Sequence, residues 1–393
     1  MPVIGRSLWR RASGATEAAP VRLRLAFLGD SNSIHLRRWL AFFAERGHEV
    51  SLLVPSAEEV APELDKRVAV HRFWAWPRLP IRGASGAATA LAIRLLTRRL
   101  RPHVLHAHYL TRYGWAARMS GFRPYVISVW GSDVLVRPMP PRDRIWARRS
   151  LSGAALVTGA SQDLIRAAIE LGAKPELTRV VQFGVDPNLF RPGPAPAELR
   201  RGMGLDGRRV VLSPRGLSGL YRHELAIRAL VELPEDVVLV LVRHRPDPAY
   251  AAGLEALIGE LGLGDRVRFA PAVEHEHMVD LIRLADVVVS MPRTDAFPVT
   301  ALEAMACGIP IVLGDLPSAH EGLDAVDPSA VVPGDDPASV AAALRLRLDL
   351  DPGGRAELGA RLREAAIVRG DVTRSLLEME RRYEQLAQGR RPS

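Results

Sequence analysis

Short apolar runs alternate with amphipathic segments along most of the chain, and this alternation predicts strands and helices in turn. Residues 22–29, RLRLAFLG, have the pattern of a buried strand, and after the polar loop DSNS a helix is predicted from about Ile34 to Arg46, with Gly47 ending it. Further strands are predicted at VSLLVP, VAVHRF, HVLHAHY, YVISVW and ALVTGA, with a helix at about residues 87–100. Strands that alternate with helices in this way form a doubly wound parallel sheet.

A second round of the same pattern follows the Pro- and Gly-rich stretch FRPGPAPAELR at residues 190–200. Strands are predicted there at VVLSPR, VVLVLV, VRFAPAV, DVVVSM and IPIVLG. We therefore predict an α/β chain of two Rossmann-like domains with a cleft between them. The predicted boundaries are an N-terminal extension at 1–20, expected to be disordered, a first domain at 21–190, a linker at 191–200, a second domain at 201–371 and a C-terminal helix at 372–393.

The segment SMPRTDAFPVTALEAMACGIPIV, residues 290–312, carries the most specific chemistry in the sequence. Thr294 or Asp295 is a candidate N-cap for a short helix, and Pro298 suits its first turn. The amides that open such a helix have no partner within it, and the helix dipole favours an anion such as a diphosphate beside them. Glu303 could accept two hydrogen bonds from a ribose diol, while Asp295 could reach sugar hydroxyls beyond the phosphates. The alternative is an ordinary capped helix whose acids face water.

An acidic residue, seven intervening residues and then Glu within LEAMACGIP resemble the donor-binding motif of the retaining family 4 glycosyltransferases, which have the GT-B fold. The first acid of that family is usually Glu, and here it is Asp295, one methylene shorter. Weaker family features occur in the expected order on both sides, so the resemblance covers most of the chain. It implies that a nucleotide-sugar donor binds the second domain, that a hydroxyl acceptor binds the first, and that the last helix crosses back to the first domain.

LSPRGLSGLYRHE, residues 212–224, resembles the family segment in which an Arg and a later Lys neutralise the donor diphosphate. Arg215 matches the first position, and for the second the sequence offers Arg222 and no lysine; a strand-end Arg paired with a surface acid is the alternative. The next strand runs into RHRP at residues 243–246 instead of a glycine-rich turn, which leaves the nucleotide open. Backbone groups around Arg268 to Ala270 are the expected contacts to the base. By resemblance, the expected donor-binding residues are Glu303, Arg215, Arg222, Phe297, Pro298, Val299, Arg268 and Phe269.

The loop from Gly29 and Asp30 to His35 lies where a strand passes into a helix, the position at which open α/β sheets bind ligands. It is similar to the N-terminal loop of the family, although the usual paired glycines are reduced to one. The resemblance places these three residues at the acceptor or in the cleft. A plain strand-to-helix turn is the alternative.

His106 and His108 alternate on one predicted strand and therefore point the same way. The spacing also fits a metal pair, but no nearby Cys or acid makes a third ligand obvious, and the resemblance implies a metal-independent enzyme. We expect no metal and no cofactor besides the nucleotide-sugar substrate. His108, at the carboxyl end of the strand, is expected to lie in the cleft and to take part in catalysis.

The segment SVWGSDVL, residues 128–135, departs from the family, because Trp130 stands where many members have a histidine. A tryptophan cannot shuttle a proton at neutral pH, so a catalytic role of that histidine does not carry over. Trp130 is expected either to wall the cleft or stack on a sugar, or to pack in the core. Asp133 is the nearest group able to orient an acceptor hydroxyl and, with Asp295, Arg215 and His108, completes the expected catalytic set.

With 393 residues, 48% hydrophobic and 25% charged, the chain fits a globular protein with two cores. No apolar run reaches membrane-spanning length, and residues 1–20 have basic residues without the apolar core of a signal peptide, so we expect a cytoplasmic protein. The single cysteine, Cys307, excludes an internal disulfide and a cysteine metal cluster.

Charged residues are distributed unevenly along the chain. Residues 1–150 hold 25 Lys and Arg against 10 Asp and Glu, a difference of +15, whereas residues 151–393 hold 28 against 34, a difference of −6. Only Lys66 and Lys174 are lysines, and a codon bias would explain that ratio but not the asymmetry. The basic first part suggests an anionic partner, such as the inner face of a membrane or a lipid-phosphate acceptor. No pattern typical of nucleic-acid binding accompanies the charge, so no nucleic-acid partner is expected.

The sequence and the resemblance together predict a retaining glycosyltransferase that moves a sugar from a nucleotide diphosphate to a hydroxyl acceptor. Cell-surface glycan, glycolipid or secondary-metabolite glycosylation is the expected setting. Two alternatives stay open: a nucleotide-sugar epimerase or hydrolase of the same fold, and a degenerate transferase that acts as a binding subunit. Asp295, Trp130 and the missing lysine favour the latter.

Overall fold

The computed structural model describes residues 21–73, 84–136 and 139–390, and in it the chain divides into two compact units. The first unit comprises Met1–Phe183 together with Thr373–Ser393, and the second comprises Gly184–Val372. The predicted linker, residues 191–200, falls inside the second unit, and its last residues begin a helix there. The predicted N-terminal extension lies outside the described residues.

The first unit is built on a sheet of seven parallel strands in the order β3-β2-β1-β4-β5-β6-β7. The strands are β1 Arg24–Leu28, β2 Glu49–Pro55, β3 Ala69–Phe73, β4 Val104–His108, β5 Tyr125–Val129, β6 Leu156–Gly159 and β7 Thr178–Val180. The helices between them are α1 Ile34–Glu45, α2 Ala84–Leu100, α3 Trp115–Met119, α4 Ser132–Leu135, α5 Pro141–Ser152 and α6 Gln162–Glu170. Short irregular turns at Leu110–Gly114 and Pro175–Leu177 complete the connections.

The second unit repeats the architecture with six parallel strands in the order β10-β9-β8-β11-β12-β13. Its strands are β8 Arg209–Ser213, β9 Val237–Arg243, β10 Val267–Pro271, β11 Val287–Ser290, β12 Ile311–Gly314 and β13 Val331–Val332. Its helices are α7 Ala197–Gly202, α8 His223–Leu230, α9 Pro248–Glu260, α10 Met278–Leu284, α11 Val299–Ala306, α12 Pro317–Leu323, α13 Pro337–Leu348 and α14 Pro352–Gly370, with 3₁₀ turns at His275–His277 and Pro328–Ala330.

Helices cover both sides of each sheet, and β9 illustrates why the sequence demands this. Its residues 237–242 are all apolar and buried, with Val238, Val240 and Val242 in one cluster and Val237, Leu239 and Leu241 in the other. A strand that is apolar on both faces is stable only between two layers. Both sheets therefore have the doubly wound arrangement that the alternating pattern predicts.

The last helix, α15 Val372–Ala387, packs within the first unit from Thr373 onward. The Glu380 carboxylate accepts hydrogen bonds from His48 Nε2 at 2.7 Å and Arg46 Nε at 2.6 Å, and the Tyr383 hydroxyl lies 2.5 Å from His106 Nδ1 on β4. Since Tyr383 is fully buried, α15 forms part of the core of that unit. Within the described part of the chain, no helix combines the length and the hydropathy needed to cross a bilayer.

Candidate functional site

Three loops of the second unit, which follow β8, β10 and β11, carry polar side chains, and two of these, Arg215 and Asp295, are expected at the donor. Arg215 comes two residues after β8, His275 four residues after β10, and Asp295 five residues after β11. Because all strands of this sheet are parallel, these loops leave the same edge, the carboxyl edge, where ligands bind in open α/β sheets. The fold therefore assembles a polar site at the edge where the sequence predicts one.

Arg215 is the cation of this site. Its Nη2 donates to Asp295 Oδ2 at 2.7 Å, its Nη1 lies 3.4 Å from Thr300 Oγ1 in the first turn of α11, and its guanidinium stacks 4.2 Å from the ring centroid of Tyr221. Burial works against the charge, but the attraction of Asp295 and Tyr221 outweighs it, so the pKa of Arg215 is raised. Burial also raises the pKa of Asp295, which the neighbouring guanidinium only partly offsets.

Helix α11 begins at Val299, and the residue preceding it is Pro298 in an extended conformation with no side-chain cap. The prediction that Thr294 or Asp295 caps this helix is therefore wrong. Pro298, expected inside the first turn, lies one residue before it, and the Asp295 carboxylate is used by Arg215 instead. Phe297 is buried: a Cβ added to Gly322 of α12 would lie 1.9 Å from its ring, so α12 and the loop before α11 are tightly packed.

Glu303 lies in the second turn of α11, and only 3% of its side chain is exposed. Its Oε1 lies 2.7 Å from His275 Nε2, and the His275 ring is 5.2 Å from the ring of Phe190. His275 was not predicted from the sequence. Its place just beyond the carboxyl end of a predicted strand was the available signal, but the pairing with Glu303 across 28 residues was not visible.

The Arg222 guanidinium does not take part in the ion pair between Arg215 and Asp295. It has a left-handed backbone with φ 45° directly before α8, and its guanidinium donates to the carbonyls of Met291 at 2.8 Å and Pro292 at 3.1 Å. These bonds tie the loop after β11 to the start of α8. The side chain that lies against Arg215 is Tyr221, at the position just before.

His223, the first residue of α8, holds the loop that carries Arg215. Its Nδ1 lies 3.0 Å from Ser213 Oγ at the end of β8, and its Nε2 lies 3.0 Å from the carbonyl oxygen of Gly216. Gly216 is needed there because a Cβ would lie 2.7 Å from the His244 carbonyl oxygen. The loop is therefore fixed on both sides of Arg215.

Arg268 and Phe269 lie within β10, at one edge of the sheet. The Arg268 guanidinium donates to the carbonyls of Gly264 and Val267, both at 3.1 Å, and the Phe269 ring is covered by Arg243 at 4.2 Å. Both side chains thus have partners in their own neighbourhood, and a contact of their backbone with a base stays a prediction.

In the first unit, the residues expected at the acceptor lie at the carboxyl edge of the sheet. His35 stacks on Phe183 at 4.7 Å between ring centroids, and Trp130 lies 4.9 Å from Phe183 and 6.0 Å from His35. These three half-exposed rings form an aromatic cluster. Phe183 was not predicted, since it follows the last strand by three residues and carries no motif.

His108 is buried rather than facing a cleft, with 1% exposure, and no described group hydrogen-bonds to either ring nitrogen. Its ring lies 4.2 Å from that of His106 and 4.9 Å from that of Trp39. Burial lowers its pKa to about 3, so the ring is neutral near pH 7. The expectation of a cleft-facing catalytic histidine is corrected accordingly.

Asp133 is also buried, and its carboxylate accepts hydrogen bonds from the backbone N–H groups of Leu110 at 2.7 Å and of Trp130 and Gly131 at 2.9 Å. It thus organises two loops instead of orienting an acceptor hydroxyl. Burial raises its pKa, against the effect of these bonds. Asp30 is exposed and accepts from Asn32 in its own turn, and a Cβ on Gly29 would lie 2.7 Å from the Leu36 side chain, which would have to shift.

No three His, Cys, Asp or Glu side chains of the described residues are grouped so as to hold a metal ion. His106 is engaged by the Tyr383 hydroxyl and, at 2.8 Å, by Ser128. Metal independence stays a prediction.

Comparison with known proteins identifies the class. Residues 24–161 match the family described as Glycosyl transferase 4-like, and residues 197–369 match Glycosyl transferases group 1. These matches together cover most of the chain and both units. The chain therefore belongs to the group 1 glycosyltransferases, as the motif at residues 290–312 indicates.

Two curated relatives are both named D-inositol 3-phosphate glycosyltransferase. The protein of Acidothermus cellulolyticus is 33% identical over 228 residues, which cover 53% of this chain and 50% of the relative. The protein of Mycobacterium tuberculosis strain H37Ra is 31% identical over 284 residues, covering 67% of this chain and 58% of the relative. The matched part of the chain thus spans only about half the length of these relatives.

Solved structures agree in fold. Anabaena HepE in complex with UDP and glucose superimposes with a TM-score of 0.78 at 22% identity, covering 92% of this chain and all of that one. Sucrose-phosphate synthase of Thermosynechococcus elongatus gives 0.79 at 21% identity, covering 94% and 100%. The predicted fold class, two Rossmann-like domains of the GT-B type, is confirmed.

Proposed function

We propose that this protein is a retaining glycosyltransferase that transfers a sugar from a nucleotide diphosphate to a hydroxyl acceptor. The observation that carries the proposal is the surroundings of α11. Its first turn lies beside the Arg215 guanidinium, and its second turn carries the buried Glu303 carboxylate. A diphosphate is favoured by the helix amides and the cation, and a ribose diol by the carboxylate.

The proposed reaction breaks the bond between the anomeric carbon and the leaving phosphate oxygen, and forms a bond to the acceptor oxygen on the same face. The acceptor proton passes to the leaving phosphate oxygen. Negative charge grows on the diphosphate as the bond breaks, and a preorganised guanidinium stabilises it. Retention of configuration follows from the family resemblance.

A UDP-sugar is the first donor to test, because HepE was crystallised with UDP and glucose. The curated relatives are named for D-inositol 3-phosphate, which makes inositol phosphates the first acceptors to test. The aromatic cluster of His35, Trp130 and Phe183 offers ring faces on which a cyclitol or sugar could stack. A lipid-linked acceptor is the second class.

Contact with an anionic membrane, cytoplasmic location and metal independence are parts of the same proposal. The excess of +15 over residues 1–150 supports the membrane contact, because anionic lipids attract basic segments. Addition of a chelator should leave transfer unchanged.

The proposal is tested by measuring the thermal midpoint of the purified protein with UDP-, GDP- and ADP-sugars. A donor at 100 times its Kd should stabilise the protein by about 2.7 kcal/mol, which raises the midpoint by several degrees. Glu303→Gln should remove the shift, whereas Glu357→Gln, an exposed glutamate of α14, should keep it. Retention would then appear as an unchanged anomeric configuration in the product, measured by NMR.

The midpoints and the product analysis together separate the alternatives. A nucleotide-sugar epimerase or hydrolase would consume the donor without forming a glycoside. A binding subunit would show the midpoint shift without turnover for any acceptor. A Glu303→Gln protein with full binding and transfer would contradict the site itself.

A further inference from the structure

The helices α2, α3 and α5 lie in one layer of the first unit, which α6, between β6 and β7, continues with Asp163 and Glu170. The first three connect β3 to β4, β4 to β5 and β5 to β6, and right-handed crossovers in one direction along a sheet place their helices on the same side. The short helix α3 packs between α2 and α5 and contacts both. We call the outward side of α2, α3 and α5 the basic face.

Charge on the basic face is almost entirely positive. The three helices contain eight arginines and a single acid, Asp143. The arginines are Arg94, Arg98 and Arg99 on α2, Arg118 on α3, and Arg142, Arg144, Arg148 and Arg149 on α5.

A preference for arginine over lysine does not explain this excess, because it acts on every helix alike. Helix α14 has four arginines and two glutamates, and α15 has three of each. In α15 they also pair, as Arg382 does with Glu378 at 2.6 Å. Acids are scarce on α2, α3 and α5, whereas α6, α14 and α15 carry both signs of charge.

The arginines of the basic face are not neutralised by neighbours. Among the described residues, none of the eight takes part in a salt bridge, and seven of them are classed as exposed, with Arg118 half-buried. Arg118 donates to the carbonyl of Arg149 at 3.3 Å, and the Arg149 guanidinium lies 5.7 Å from the Trp146 ring. Their charge is available to an external anion.

Large apolar side chains are exposed among these cations. Leu91 and Leu95, one turn apart on α2, are 57% and 55% exposed, and Ile145 on α5 is 52% exposed. On α2 they share a side with Arg94 and Arg98, since residues three and four apart are neighbours on a helix. Exposed leucines flanked by arginines are typical of helices that lie in a membrane interface.

We propose that the basic face docks on the surface of an anionic phospholipid bilayer. The guanidinium groups bind lipid phosphates, each contributing about 1 kcal/mol near the surface. Leu91, Leu95 and Ile145 enter the boundary between headgroups and acyl chains, which a soluble polyanion such as nucleic acid does not offer. The docking rests on the membrane contact of the proposed function and assigns it a surface, but it does not depend on the transfer reaction.

The experiment is co-sedimentation of the full chain with phosphatidylcholine vesicles that contain or lack phosphatidylglycerol. We expect binding only to the anionic vesicles, and release when salt is raised from about 0.1 to 1 M, which shortens the Debye length from about 10 to about 3 Å. The triple variant Arg142→Glu, Arg144→Glu, Arg148→Glu should bind at least about tenfold more weakly, since three contacts of about 1 kcal/mol are reversed.

The matched control reverses three exposed arginines of the second unit, Arg201→Glu, Arg228→Glu and Arg369→Glu, with the same change in net charge. It should keep at least half of the vesicle binding. The double variant Leu91→Ser, Leu95→Ser tests the apolar part without changing charge and should weaken binding about tenfold or more. Thermal midpoints, with and without donor, check that each variant is folded and still binds nucleotide.

Equal loss in both triple variants would overturn the inference, because binding would then depend on net charge alone. Undiminished binding by the leucine variant, with displacement of vesicles by duplex DNA at equal phosphate concentration, would also overturn it in favour of a polyanion. Failure of sugar transfer with intact vesicle binding would contradict only the proposed transfer reaction.

Discussion

The ion pair between Arg215 and Asp295 places one negative charge within the site that we assign to a diphosphate. The two side chains are 13% and 21% exposed, so the pair is only weakly screened by solvent. Any phosphate that binds Arg215 must share it with, or take it from, Asp295. The carboxylate thus opposes the binding of the leaving group while remaining available to the sugar.

We therefore predict that Asp295→Asn keeps or tightens UDP binding, by up to about tenfold, because one repulsive charge is removed. Turnover should nevertheless fall by about 100-fold or more if the carboxylate contacts the reacting sugar. Calorimetric titration of UDP and a measurement of kcat check both parts, with Asp335→Asn, an exposed acid of the same unit, as control. Loss of UDP affinity with kcat intact would contradict this assignment.

We predict that His275, whose Nε2 lies 2.7 Å from Glu303 Oε1, positions Glu303 and does not contact the reacting atoms. Replacing it by leucine removes a hydrogen bond to a buried carboxylate, worth about 1.5–3 kcal/mol, so KM for the donor should rise about tenfold or more with a smaller change in kcat. His275→Gln, which keeps an N–H donor, should recover part of the loss. His277→Leu is the control, since that side chain is 71% exposed. Equal KM values for the two leucine variants would refute the role.

At the scale of elements, α15 is held by a buried carboxylate. His48 Nδ1 accepts from the Leu23 N–H at 3.1 Å, so its Nε2 carries the proton and donates to Glu380. Burial works against the carboxylate charge, but the hydrogen bonds from His48 and Arg46 outweigh it and lower the pKa of Glu380. A lowered pKa means that the stabilisation is present at neutral pH and is lost as the pH falls below the ordinary value of a glutamate.

Glu380→Gln should accordingly lower the free energy of unfolding at pH 7 by about 2–3 kcal/mol, the range for a charged hydrogen bond. The difference from the unaltered protein should shrink as the pH falls below about 4.3. Glu378→Gln, which removes a more exposed pair on the same helix, should cost less than about 0.5 kcal/mol. Urea titrations at pH 7 and pH 4 provide the comparison, and a difference independent of pH would exclude the assigned ionisation.

The strands and helices also show which parts of the fold the sequence patterns can predict. A long apolar run such as VVLVLV predicts β9, because a strand that is buried on both faces is apolar at every position. Strands β7 and β13, three and two residues long, have too few residues to show a pattern and were not predicted. The cap of α11 was assigned wrongly because capping is a local rule, whereas the partner of Asp295 lies 80 residues away.

At the scale of the whole molecule, the alternation of strands and helices was enough to predict two doubly wound sheets, and a parallel sheet gathers its functional loops at one edge. The contacts inside the site were not predictable, because His275 with Glu303, Tyr221 with Arg215 and Phe183 with His35 join residues whose spacing follows no periodic rule. His108 and Asp133 show the opposite error. Both residues were predicted to contact ligands because they lie near the carboxyl edge of the sheet. In the structure both are buried, and Asp133 holds two loops through backbone hydrogen bonds.

The position of α15 has a consequence for biosynthesis. Tyr383 and Glu380, fixtures of the first unit, leave the ribosome only after the entire second unit has been made, which at about 5–20 residues per second takes on the order of ten seconds or more. During that interval the nascent amino-terminal half holds His48 and His106 without their partners on α15, Glu380 and Tyr383. A premature stop codon before residue 372 would therefore destabilise the first unit, although most of that unit had already been translated, because α15 would be missing from its core.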